Sequence, residues 1–185
     1  MTTESAAFGD SAIAEVSRNL TADERVRLSG YYTAKCYDKD GNLKWEAKAP
    51  NLVTTAGKND ILTNQFKGSA YTAAWYIGLV DNSGFSAYAA ADTMSSHAGW
   101  TESTVYSNAT RVAPSFGTAS AGSLASTATA FTINGAATLD GCFLTTVSTK
   151  GGTTGTLYSA GAFTGGDRTV ANLDTLNITY TATAT

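Results

Sequence analysis

The chain has 185 residues, 43% of them hydrophobic and 10% aromatic, which suffices for one domain with a true core, with or without an attached arm. Charged residues make up only 15%, well below the roughly 25% usual for soluble domains, and the net charge is −3. That balance leaves no electrostatic basis for nucleic-acid binding, and no apolar run approaches the roughly 18 residues of a membrane span.

Residues 1–28 are expected to form a helical or extended arm, and residues 29–185 a β-sandwich. Met1-Thr-Thr-Glu-Ser5 has neither the basic nor the apolar region of a secretory signal, so synthesis and retention in a cytoplasm are expected. Asp10 is placed to cap a short helix carrying Ile13, Val16 and Leu20 at spacings of three and four. Thr21-Ala-Asp-Glu24 has the pattern of a capping box, with Val26 and Leu28 behind it. Segments this short are not stable helices in water and need a surface, either their own domain or another subunit.

From residue 30 the apolar period changes to two. Tyr31–Tyr37 and Leu43–Ala49 flank Asp38-Lys-Asp-Gly-Asn42, a hairpin signal, and put Tyr32, Ala34 and Cys36 on one face. Pro50 ends the second strand, and residues 54–66 read as a short helix in which Ile61, Leu62 and Phe66 pack. Ala73–Val80 is a continuous apolar run, the pattern of a central strand buried on both faces.

A long connection, Asp81 to Glu102, follows. Further strands are predicted at Val105–Val112, Ala128–Ile133, Gly141–Val147, Thr156–Phe163 and Leu173–Ala184. In the last of these Leu176, Ile178 and Tyr180 alternate with Asn177 and threonines, as in a half-buried antiparallel strand. About eight short strands, one inserted helix and no βαβ rhythm predict a mainly β fold, an antiparallel sandwich of jelly-roll-like character. Many small inward residues imply a thin core or close sheet packing. Cys36 and Cys142, far apart in sequence, are expected to be reduced core thiols.

Charge is placed unevenly: nine of the twelve Lys and Arg precede residue 69, leaving only Arg111, Lys150 and Arg168 beyond it. Chemistry-bearing side chains are correspondingly sparse. Asp38–Asn42 resembles the start of a calcium loop, but its glycine comes too early and Ala49 stands where the bidentate glutamate belongs. Gly151-Gly-Thr-Thr-Gly155 lacks the lysine of a phosphate loop. No catalytic or cofactor-binding residue and no metal ligand is assigned, and no cofactor is expected.

The one non-repetitive polar stretch is Asp92-Thr-Met-Ser-Ser-His-Ala-Gly-Trp-Thr-Glu102, which holds the only histidine, His97. Asp92 is placed to cap a helical turn through Ser95 and Ser96 that Gly99 ends. His97 and Glu102 are candidates for an acid–base pair. Asp92 and Glu102 are candidates for the two carboxylates of a glycan hydrolase, which need a separation of about 5–10 Å. The reading favoured over catalysis is a structured loop in which Trp100 plugs the sandwich edge and His97 satisfies backbone groups. Ile13, Val16, Leu20, His97 and Trp100 are the candidate subunit or capsid contacts.

The stretches Asn51–Leu62, Trp75-Tyr-Ile-Gly-Leu-Val80, Asp92–Glu102 and Ala109-Thr-Arg111 resemble virion structural proteins of tailed bacteriophages. Among these the chain is most similar to the jelly-roll cement, or decoration, proteins of capsid shells, over roughly residues 30–147. The resemblance implies a non-enzymatic protein on the capsid exterior, with the major capsid protein and further copies of itself (a dimer or trimer) as partners. Nucleic acid and membrane are not expected partners. A tail or fibre module that contacts host glycans is the alternative.

Overall fold

The computed structural model describes residues 26–67 and 74–185. The arm, with Ile13, Val16 and Leu20, lies outside the described residues except for its last three positions. Two antiparallel sheets face each other. The first contains β1 (Leu28–Tyr37), β2 (Leu43–Pro50), β6 (Ser123–Ala125), β7 (Thr129–Thr132) and β11 (Thr175–Ala184), in the order β2-β1-β11-β6 with β7 also on β11. The second contains β3 (Leu52–Val53), β4 (Tyr76–Asp81), β5 (Thr101–Ser103), β8 (Ala137–Thr145), β9 (Leu157–Ala162) and β10 (Arg168–Val170). Its order is β3-β9-β8-β4-β5, with β10 beside β8. Among the described residues one helix, α1 (Thr55–Phe66), lies between β3 and β4 in the chain. The chain passes repeatedly from sheet to sheet, which gives the sandwich its jelly-roll-like character.

The period-two patterns act as expected. On β1, Tyr32, Ala34 and Cys36 point into the core; on β11, Leu176, Ile178 and Tyr180 do. The alanines at positions 34, 47 and 49 leave depth for long tyrosines to cross the interior. The Tyr32 hydroxyl lies 2.7 Å from Ser159 Oγ on the opposite sheet, and the rings of Tyr32 and Tyr180 are 4.8 Å apart. The core is thus spanned by Tyr32 and Tyr180, whose hydroxyls are hydrogen-bonded, to Ser159 and Asn51 respectively, as burial of a hydroxyl demands. Cys36 and Cys142 are buried free thiols, and burial pushes Cys36 up to about 12, which makes it inert.

The hairpin between β1 and β2 turns at Gly41, whose φ of 84° is left-handed. Asp38 Oδ1 accepts the backbone N–H groups of Asp40 and Asn42, so this carboxylate organises a turn rather than a calcium loop. In α1, Thr54 is the N-cap and accepts from Gly57 N at 3.0 Å. Gly57 lies so close to β9 that a Cβ there would fall 2.5 Å from the carbonyl oxygen of Tyr158. The helix is held by that contact; Leu62 and Phe66, expected to pack, are exposed.

The apolar run before residue 81 is a central strand, β4, and residues 77–80 are fully buried. One side faces the first sheet through Ile77 and Leu79. On the other, Val80, Phe143, Leu157 and Ala160 form a second core with Met94 and Trp100. That second cover is the 81–102 connection itself.

Three expectations change. Residues 105–112 form no regular strand, only bridges at Tyr106–Ile133 and Ile77–Val112. The carbonyls of Tyr106 and Asn108 accept instead from the Lys150 ammonium, both at 2.8 Å. The short strands β3, β6 and β10 carry too few residues to show a period. And no helical turn follows Asp92: Thr93 and Ser96 exchange two backbone hydrogen bonds in a tight turn.

Candidate functional site

The polar groups singled out from the sequence fall into two neighbouring clusters, both of which border the Phe143 ring on the side of the second sheet that faces the 81–102 connection. In the first, the Trp100 ring is 2% exposed and lies against Phe143 (5.1 Å), Tyr88 (5.9 Å) and His97 (3.9 Å, stacked). Its Nε1–H donates to Asp92 Oδ2 at 3.0 Å, and the same oxygen accepts from Ala89 N. Asp92 therefore does not cap a helix; it receives the indole and closes the connection on itself.

His97 Nδ1 lies 2.9 Å from the Trp100 carbonyl oxygen. A carbonyl only accepts, so Nδ1 carries a proton. Trp100 is buried as expected, but beneath the 81–102 connection against the second sheet rather than at the sandwich edge, and His97 makes the backbone contact expected of it. This burial leaves Trp100 without surface for a direct contact to another subunit, while His97 keeps a half-exposed edge.

The second cluster centres on Arg111, which composition alone marks only as a rare cation in an almost uncharged stretch. It is 1% exposed. Nε and Nη2 donate to Glu102 Oε1 and Oε2 at 3.0 and 2.7 Å, a bidentate pair, and Nη2 also donates to the Gly152 carbonyl. Nη1 donates to the Val147 carbonyl, and Gly151 N donates to Glu102 Oε2. The guanidinium lies 5.1 Å from the centre of the Phe143 ring. One ion pair thus ties edge strand β5 to residues 109–112 and to the loop 147–152.

These partners replace the pairings expected from sequence. Glu102 is held by Arg111, not by His97, and Asp92 is held by Trp100, so each carboxylate already has a hydrogen-bonding partner of its own. Among the described residues no three His, Cys, Asp or Glu side chains converge as metal ligands. Chemically, both clusters fasten loops to the second sheet. The sequence signal for Arg111 was its isolation: a cation in a neutral stretch is either exposed or paired, and only the fold chooses.

A third polar contact lies under the connection. Tyr88 donates its hydroxyl to Asp140 Oδ2 at 2.6 Å. Burial raises the Asp140 carboxyl above its ordinary range, opposed by the Tyr88 hydrogen bond and assisted by the charge of Asp167. A raised carboxyl favours the folded state when protonated, so its contribution improves as pH falls through the raised value and is unfavourable above it. Asp140→Asn keeps an acceptor for Tyr88 and removes the charge. It is expected to raise the melting temperature near neutral pH, with the difference from wild type closing in acid; a constant difference across the titration would contradict this.

Compared with known proteins, the chain matches no family model and no curated sequence.

Proposed function

We propose that this chain is a non-enzymatic cement protein of a tailed-phage virion that binds the outer surface of the major capsid shell and stabilises it. The observation that carries this reading is the outward face of the first sheet. There Tyr31, Thr33, Lys35 and Tyr37 of β1 stand beside Thr181, Thr179, Asn177 and Thr175 of β11, and the row continues through Thr132 on β7.

Its few charges are already satisfied: Lys35 pairs with Glu46 at 3.3 Å, and the Lys48 ammonium sits 3.7 Å from the Tyr31 ring centre. A broad face of hydroxyls and tyrosines, poor in free charge, is cheap to desolvate and matches the make-up of interface centres. The locked loops of the second sheet supply a rigid body behind it. Repetition on a symmetric shell, in a dimer or trimer of this chain, multiplies modest contacts into firm attachment.

The test is binding to shells of the encoding phage that lack the protein. Thr179→Arg places an unpaired cation in the middle of this face, on a partly exposed side chain that does not support the core. Shell binding should weaken by about tenfold or more, with an unchanged melting temperature. Unchanged occupancy would remove this face from the contact, and density on the tail in a reconstruction of the virion would remove the cement role.

The glycan-binding alternative has one observation in its favour. A cleft of about 390 Å³ is lined by Trp75, Phe116, Tyr158 and Tyr180, with Asp60 and Asn64 of α1 among its walls. Aromatic rings beside amide and carboxylate groups suit a sugar. A glycan array with no hits would dismiss it.

A further inference from the structure

Apolar exposure on this chain is concentrated rather than scattered. Among the described residues six large hydrophobic side chains are exposed, and Val26, Leu52, Leu62 and Phe66, four of the six, line a single groove of about 1030 Å³. Such a gathering marks a surface that is covered in the working molecule. One wall is α1, where Lys58, Leu62 and Phe66 repeat every four residues and so form one stripe. The other is β3 and the start of β1. The chain enters the described domain at this point. Val26 is part of the groove, and its position is fixed because Arg27 and Thr185 exchange both backbone hydrogen bonds.

We propose that the groove is the seat of the chain's own residues 10–20, docked as an amphipathic helix through Ile13, Val16 and Leu20. These three side chains recur at spacings of three and four, so in a helix they make a stripe that matches the stripe of α1 in kind. Reach is sufficient: the six steps from Leu20 to Val26 extend to about 20 Å, and the helical stretch 13–20 spans only about 10 Å.

The segment is also too short to hold a helix alone and gains one by docking. Its tether makes it the favoured occupant over a second copy, because attachment through a few residues sustains an effective concentration on the order of millimolar. Charge agrees as well: the segment carries Asp10 and Glu15 against the single cation Arg18, a net −1, and the groove presents Arg27 and Lys58.

The experiment is disulfide trapping in the full-length chain. Cys36 and Cys142 are wholly buried and do not compete. The pair Val16→Cys with Leu62→Cys should close within one chain about tenfold faster than Arg18→Cys with Leu62→Cys, which places the thiol on the opposite side of the helix. Equal rates, or a disulfide joining two chains, would overturn the proposal. In parallel, Leu62→Asp, on an exposed side chain, should speed amide exchange across residues 11–20 by about tenfold or more. Exchange in that segment unaffected by Leu62→Asp would overturn it equally.

Discussion

Replacing Arg111 with methionine is expected to destabilise the fold by about 3–5 kcal/mol, because it strands the buried Glu102 carboxylate. The loss exceeds that of an ordinary surface pair, since both partners are shielded from water; the side chains of Arg111 and Glu102 are 0% and 8% exposed. It also releases the Val147 and Gly152 carbonyls from their donors. Arg111→Lys should recover little, because a single ammonium cannot fill the bidentate fork and reach two carbonyls at once.

Removing both charges, with Arg111→Met and Glu102→Leu together, should cost less than Arg111→Met alone, since the stranded anion is gone. Urea unfolding of the three variants measures this. If Arg111→Met lost under about 1 kcal/mol, the ion pair would be an ornament of the loop rather than its fastening.

Trp100→Ala should cost about 3–5 kcal/mol, the range for deleting a large buried aromatic. The effect should be local as well as large. The ring fills the second core beneath the 81–102 connection, and its indole N–H holds Asp92, so the variant loses packing and leaves a carboxylate without its partner. Hydrogen exchange should accelerate over residues 81–102 while β1 and β11, whose cores lie on the other side of the sandwich, stay protected. Trp100→Phe keeps most of the ring and loses only the donor, for about 1–2 kcal/mol. Uniform loss of protection in both sheets would show that the connection does not open separately.

The residues behind these two variants differ in how far the sequence disclosed them. Trp100 was legible as a plug because a tryptophan between Gly99 and an edge strand has few other uses. Its partner was not, since a carboxylate eight residues earlier suits a helix cap equally well. Arg111 was legible only as an anomaly. Glu102 is nine residues away, a spacing no secondary structure favours, and the carbonyls that complete the site come from residues 147 and 152. Val105–Val112 has the composition of a strand, yet Lys150 takes up carbonyls that a neighbouring strand would need.

What the amino-acid sequence determined by itself is what near neighbours decide. Alternation on β1 and β11 set which side chains face the core, the unbroken apolar run at β4 required cover on both sides, and Asp38–Asn42 required a turn. Each rests on a period or on a φ angle, and both are local properties. Only the tertiary structure decided which sheet each strand joins, that the 81–102 connection is the cover over β4, and that Glu102 belongs to Arg111. Those choices depend on contacts between segments tens of residues apart, whose energies favour one arrangement without leaving any spacing in the chain to announce it.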